Sequence, residues 1–184
     1  MDNDVKKVIY GAGAIDLVQV AAQTCLFLEH SVEEEQFDFV EKLCRLLPLL
    51  YLKAHMLPMP QRMNDDYLQD FVTEEDYNFV LNGVKQQLGT DDTYLEVFVE
   101  EMKYSDEPVM ATISENLADI YQELKNLAAN YQTENEYVMN DALLSCLEAF
   151  REHWGQKLLN AMRALHILWL EYGQKRSENS DEAE

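Results

Sequence analysis

The chain has 184 residues, enough for one domain that buries roughly 70% of the surface its unfolded chain would expose. Hydrophobic residues make up 47% and charged residues 27%, the proportions of a globular protein rather than a disordered one. Lys and Arg number 14 against 35 Asp and Glu, and the resulting net charge of −21 repels phosphate backbones, which argues against nucleic acid as a partner.

At the start, Lys6 and Lys7 precede "VIYGAGAI", the outline of a short signal peptide. Asp2 and Asp4 spoil its basic head and Asp16 cuts its apolar run, so a cytoplasmic protein is expected, with residues 1–12 as a flexible lead. "GAGAID" opens like a dinucleotide fingerprint, but Asp16 stands at the third glycine position and no strand, helix, strand unit follows. From Ile15 to Glu29, the residues Ile15, Val18, Ala22, Cys25, Leu26 and Leu28 give a first helix with one apolar face.

Ser31 and Glu34 have capping-box spacing, and Phe37, Val40, Leu43, Cys44 and Leu47 then recur at helical intervals. Between Arg45 and Lys53 the apolar run Leu46–Leu52 is seven residues long, whereas a bilayer crossing needs about 20. The charges would also cost about 2.5 to 3.5 kcal/mol each at the bilayer centre. The run therefore predicts a core helix buried on most sides, with the heads of Arg45 and Lys53 reaching water or a carboxylate. Pro48 lacks the N–H that would bond the Cys44 carbonyl and costs about 3 kcal/mol inside a helix, so a kink or a fresh helix start is expected there. Pro58 and Pro60 end the segment.

Thr73 with Asp76 predicts the cap of a helix running to Leu88, with Gly89 as the left-handed residue beyond its end. Thr90–Pro108 has no helical period and reads as a long loop with an extended piece around Tyr94–Val99. Met110, Ile113, Leu117, Ile120, Leu124, Leu127 and Tyr131 then alternate steps of three and four, the seam of a bundle helix. From Glu136 to Tyr172, Leu143, Leu147, Phe150, Trp154, Leu158, Ala161, Leu165, Leu168 and Tyr172 form another apolar series. Two successive steps of four surround Trp154, and with Gly155 beside it this stutter predicts a bend in the long C-terminal helix. Residues 173–184 read as a disordered acidic tail. With no internal repeat and no linker, residues 1–184 are expected to be one all-α domain. It is read as a bundle of about five to six helices with a Pro-kinked core helix.

The stretches "LLPLLYLKAHMLP" and "EHWGQKLLNAMRALH" resemble an uncharacterised family of bacterial all-helical proteins known only as a domain of unknown function. The likeness extends from about Leu17 to Leu170. It implies an all-α fold and a cytoplasmic bacterial protein, and it brings no activity, cofactor or catalytic residue.

Three dispersed cysteines, Cys25, Cys44 and Cys146, give neither a disulfide framework nor a zinc spacing, and read as small buried hydrophobes. A di-metal bundle site needs Glu-x-x-His pairs, but Phe27, Leu52, Phe150 and Arg163 stand three residues before the four histidines. No metal or cofactor is expected. Glu115, Asp119 and Glu123 line one helix face and read as a solvated acidic face. What remains is a polar group inside the bundle, made of Tyr51 and Lys53 with His153, Arg163 and His166, beside Trp154 at the stutter. A structural network is one reading of it and a pocket is the other. The expected function is therefore a non-enzymatic protein-interaction module with a protein partner, outside any membrane. The alternative is a small anionic-ligand binder or hydrolase using the pocket near His153, Arg163 and His166.

Overall fold

The computed structural model describes residues 2–63, 68–96 and 109–181. Helices α1 (Asp2–Ile9), α2 (Ala12–Glu29), α3 (Gln36–His55) and α4 (Glu74–Leu88) precede a hairpin of β1 (Thr93–Glu96) and β2 (Val109–Thr112). Helices α5 (Ile113–Tyr131), α6 (Glu136–Ala149) and α7 (Gly155–Asp181) follow, with a π-helical turn, Phe150–Trp154, joining α6 to α7. The class is all-α. The expected loop holds the antiparallel hairpin, with Thr93 opposite Thr112 and Glu96 opposite Val109. The expected extended piece beyond Glu96 lies outside the described residues, as does most of that loop.

The predicted seam becomes α5, the centre of the bundle, which packs against α2, α4, α6 and α7. Ile113, Leu117, Ile120, Leu124 and Leu127 are all buried on it, while Met110 falls in β2 and is exposed. Asp92, itself buried, accepts hydrogen bonds from the Ser114 N–H (2.8 Å) and hydroxyl (2.7 Å) and so closes the first turn of α5. Thr73 and Asp76 form the reciprocal capping box of α4. Gly89 ends α4 at φ 58°, ψ −123°, a positive φ as expected but outside the left-handed helical well.

Four expectations are corrected. Residues 2–9 form a helix because Val5 and Ile9 bury against Met139 of α6. Ser31 opens no α-helix: it is buried in a 3₁₀ turn against Gly83 of α4, whose added Cβ would lie 2.8 Å from the hydroxyl. Glu34 pairs with Lys42 at 2.6 Å instead of capping. The Leu46–Leu52 run is buried on one face only, through Leu47 and Leu50, because α3 covers the bundle with a single side and leaves Leu49 and Leu52 exposed. The acidic tail is helical to Asp181, with residues 182–184 outside the described region.

Pro48 sits inside α3, which runs unbroken from Gln36 to His55, so no fresh helix begins there. Lys53 reaches Asp16 of α2 at 2.6 Å and Arg45 reaches Glu41 at 2.8 Å, as the snorkelling argument required. Helix α2 is 18 residues long with mean hydropathy 1.2, apolar enough by length and composition to cross a bilayer. Here its Leu17, Val20, Ala21, Cys25 and Leu28 are buried in the common core.

Candidate functional site

The π turn is where α6 becomes α7. Gly155 donates its N–H to the Phe150 carbonyl, the wider ring of a π turn. A Cβ at this position would stand 2.4 Å from that oxygen, so only glycine fits. Trp154 is fully buried and its indole Nε1–H donates to the Cys146 carbonyl at 2.9 Å. Phe150 lies 4.6 Å from the Trp154 ring, and Tyr51 meets Phe150 edge-on at 5.1 Å and stacks on His55 at 5.8 Å. Tyr51 and Trp154 thus belong to one aromatic chain across α3 and the π turn.

The other predicted residues do not join them. Lys53 is engaged with α2. His153 points from the π turn into solvent, and Arg163 and His166 are exposed on α7, His166 with its ring 5.6 Å from Trp169. The polar group expected inside the bundle is therefore corrected: the 3.6-residue period sets His153, Arg163 and His166 beside the apolar stripe, on the outer side of the helix.

Among the cavities that the described residues form, two bear on the predicted residues and their neighbours. The first is a groove of about 280 Å³ between the hairpin and α7, lined by Tyr94, Leu95, Glu96, Arg163, Ala164 and Ile167 among others. The hairpin is pinned there by hydrogen bonds from Asn160 to Glu96 and from Asn116 to the Tyr94 hydroxyl. Leu95 and Ile167 are 58% and 51% exposed, and Leu159 and Leu170 extend the apolar face along α7. Leu159, Arg163, Ile167 and Leu170 are spaced by four, four and three, a second stripe that the sequence contains but that the stronger core stripe obscures.

The second surface is a polar cleft of about 170 Å³ between residues 68–70, α5 and α6. Asn126 Oδ1 accepts the Phe71 and Val72 N–H groups at 2.8 and 3.1 Å, and Asn130 Nδ2 donates to the Gln69 and Asn126 carbonyls at 3.0 and 2.9 Å. These two amides hold the incoming segment against α5. The neighbouring face is no simple solvated one. Asp119 accepts from the Tyr77 hydroxyl at 2.8 Å and pairs with Lys157. The Glu123 carboxyl is raised by desolvation, with Asp70 and Asp119 adding to the effect.

The thiols are poor nucleophiles. Burial pushes Cys25 up to about 12 and raises Cys146 further, and burial also raises Cys44.

Residues 8–171 match the family model described as a domain of unknown function, DUF5063. The chain belongs to this family. The crystal structure of protein BF1032 from Bacteroides fragilis is 40% identical and superposes with a TM-score of 0.79, over 88% of this chain and 94% of that one. No curated protein matches. The bacterial, uncharacterised, all-helical family indicated by "LLPLLYLKAHMLP" and "EHWGQKLLNAMRALH" is thus the right one.

Proposed function

We propose that the protein is a cytoplasmic, non-enzymatic interaction module whose docking face is the outer side of α7 together with the β1–β2 hairpin. The observation that carries this reading is the apolar groove between Leu95 and Ile167, continued by Leu159 and Leu170. Exposed apolar residues are ordinary when scattered, but a contiguous set at helical spacing, around a groove, is the form an interface takes. A net charge of −21 favours a partner segment whose aliphatic anchor is flanked by Lys or Arg.

A photo-crosslinking residue placed at Ile167 or Leu95, in bacterial cells that carry the gene, tests this reading. An adduct of the same mass from both positions, absent when the crosslinker stands at exposed Asn78 of α4 and lost on Leu159→Glu, supports the docking face. Adducts no different from those at Asn78 overturn it.

A further inference from the structure

Among the described residues, the groove beside α7 is bordered by Tyr94, Leu95 and Glu96, which are consecutive in β1, and by none of β2. Side chains alternate between the two faces of a strand, so a cavity that touches successive residues runs along the strand's edge.

That edge is unpaired. β1 has one neighbour, β2, in a two-stranded sheet. Among the described residues its backbone hydrogen bonds go to β2 alone, so the edge towards α7 keeps N–H and C=O groups without a main-chain partner. Edge strands are commonly blunted by Lys, Pro or a bulge. β1 (Thr93–Glu96) has none of these, its register with β2 is continuous, and its Leu95 is 58% exposed. The charge on the strand side of the groove is that of Glu96, whose carboxylate is held by a neutral donor, the Asn160 amide. Arg163 belongs to the opposite wall.

We propose that the partner docks as an extended segment, adding a third strand to the hairpin along the free edge of β1. This mode rests on the docking-face reading above. Strand addition draws its affinity from main-chain hydrogen bonds and its specificity from alternate side chains. At about 3.3 Å per residue, the four residues of β1 offer roughly 13 Å of edge. Tyr94 and Glu96 share the half-buried face of the strand. The segment therefore carries an aliphatic residue beside Tyr94, resting on Ala164 and Ile167, and two places along a Lys or Arg beside Glu96. The net charge of −21 favours the same cation.

The probe is a capped pentapeptide, Lys-Thr-Val-Thr-Lys, whose pattern reads the same in parallel and antiparallel pairing. It is added to the full chain and followed by amide NMR and hydrogen exchange. Saturable shifts at Tyr94, Glu96, Ala164 and Ile167 are expected, and at about ten times the dissociation constant the edge amides of β1 should exchange about tenfold more slowly. N-methylation at both Thr removes the donors of one peptide edge, and N-methylation at Val and both Lys those of the other. One version should lose affinity by about tenfold or more while the other keeps it. Glu96→Gln should weaken binding by about two- to fivefold. Equal binding by both N-methylated peptides, or shifts with no slowing in β1, overturns strand addition. So does a helix-locked peptide, with α-aminoisobutyric acid for each Thr, that shifts Leu159 and Leu170 at lower concentration; the docking face then stands with a helical occupant. An absence of shifts with every peptide also overturns strand addition, and crosslinking at Ile167 and Leu95 decides separately whether the docking face stands.

Discussion

At Gly155 an added methyl group would meet the Phe150 carbonyl oxygen at 2.4 Å and the Phe150 ring at 2.9 Å. Backbone cannot step aside as a flexible side chain does, so Gly155→Ala is expected to cost about 1 to 3 kcal/mol in urea unfolding. Leu50 and Leu52 give a sharper contrast, because they are two residues apart on α3, the first fully buried and the second 51% exposed. Leu50→Ala should cost about 2 to 5 kcal/mol and Leu52→Ala less than about 0.5 kcal/mol. Equal costs would show that α3 is seated on a different face. Glu123 makes a prediction in pH. Its carboxyl titrates above the unfolded value, so the stability tied to its protonated form is complete below about pH 4 and is lost as pH rises through the folded value. Glu123→Gln should therefore match the parent in calorimetry at low pH and exceed it at neutral pH. The period of α5 gave the side of Glu123 correctly but not the segment that crosses over it. Asn126 and Asn130 bind backbone groups of that segment, and such partners leave no mark in side-chain spacing.

At the scale of elements, the same S/T-x-x-D/E spacing had two fates. Thr73 caps α4 and its loss to Ala should cost about 0.5 to 2 kcal/mol in chemical unfolding. Ser31 does not cap, because the approach of α4 at Gly83 buries its hydroxyl in the turn. A local signal held where nothing competed and failed where tertiary packing took the residue. Helix α5 was legible from Ile113 onward because its seam faces neighbours on several sides, whereas Met110, at the head of the same series, belongs to β2. The stutter at Trp154 was legible too, and the π turn is its physical form. Helix α1 was missed although Val5, Val8 and Ile9 have helical spacing, since its burial depends on Met139 far along the chain. The hairpin was half seen: β2 has only four residues, and its pairing with β1 is not local.

For the whole molecule, the charge of −21 sets how stability responds to salt. The described ion pairs are mostly exposed at one or both ends, and such pairs contribute little. Screening the net repulsion should outweigh their loss, so the melting temperature should rise as sodium chloride is raised from low to moderate concentration. A fall would mean that the pairs matter more than the net charge. The π turn has a consequence at this scale as well, because it sets the rotational phase of everything that follows it. Its extra residue turns α7 by about 100° relative to an uninterrupted helix, so the stripe of Leu158, Ala161, Leu165 and Leu168, which would otherwise continue that of Leu143 and Leu147, is aimed at α3 as well as α5. The outer stripe of Leu159, Ile167 and Leu170 is aimed by the same rotation. The direction in which the outer stripe of α7 looks is thus encoded by a count of residues rather than by any one side chain.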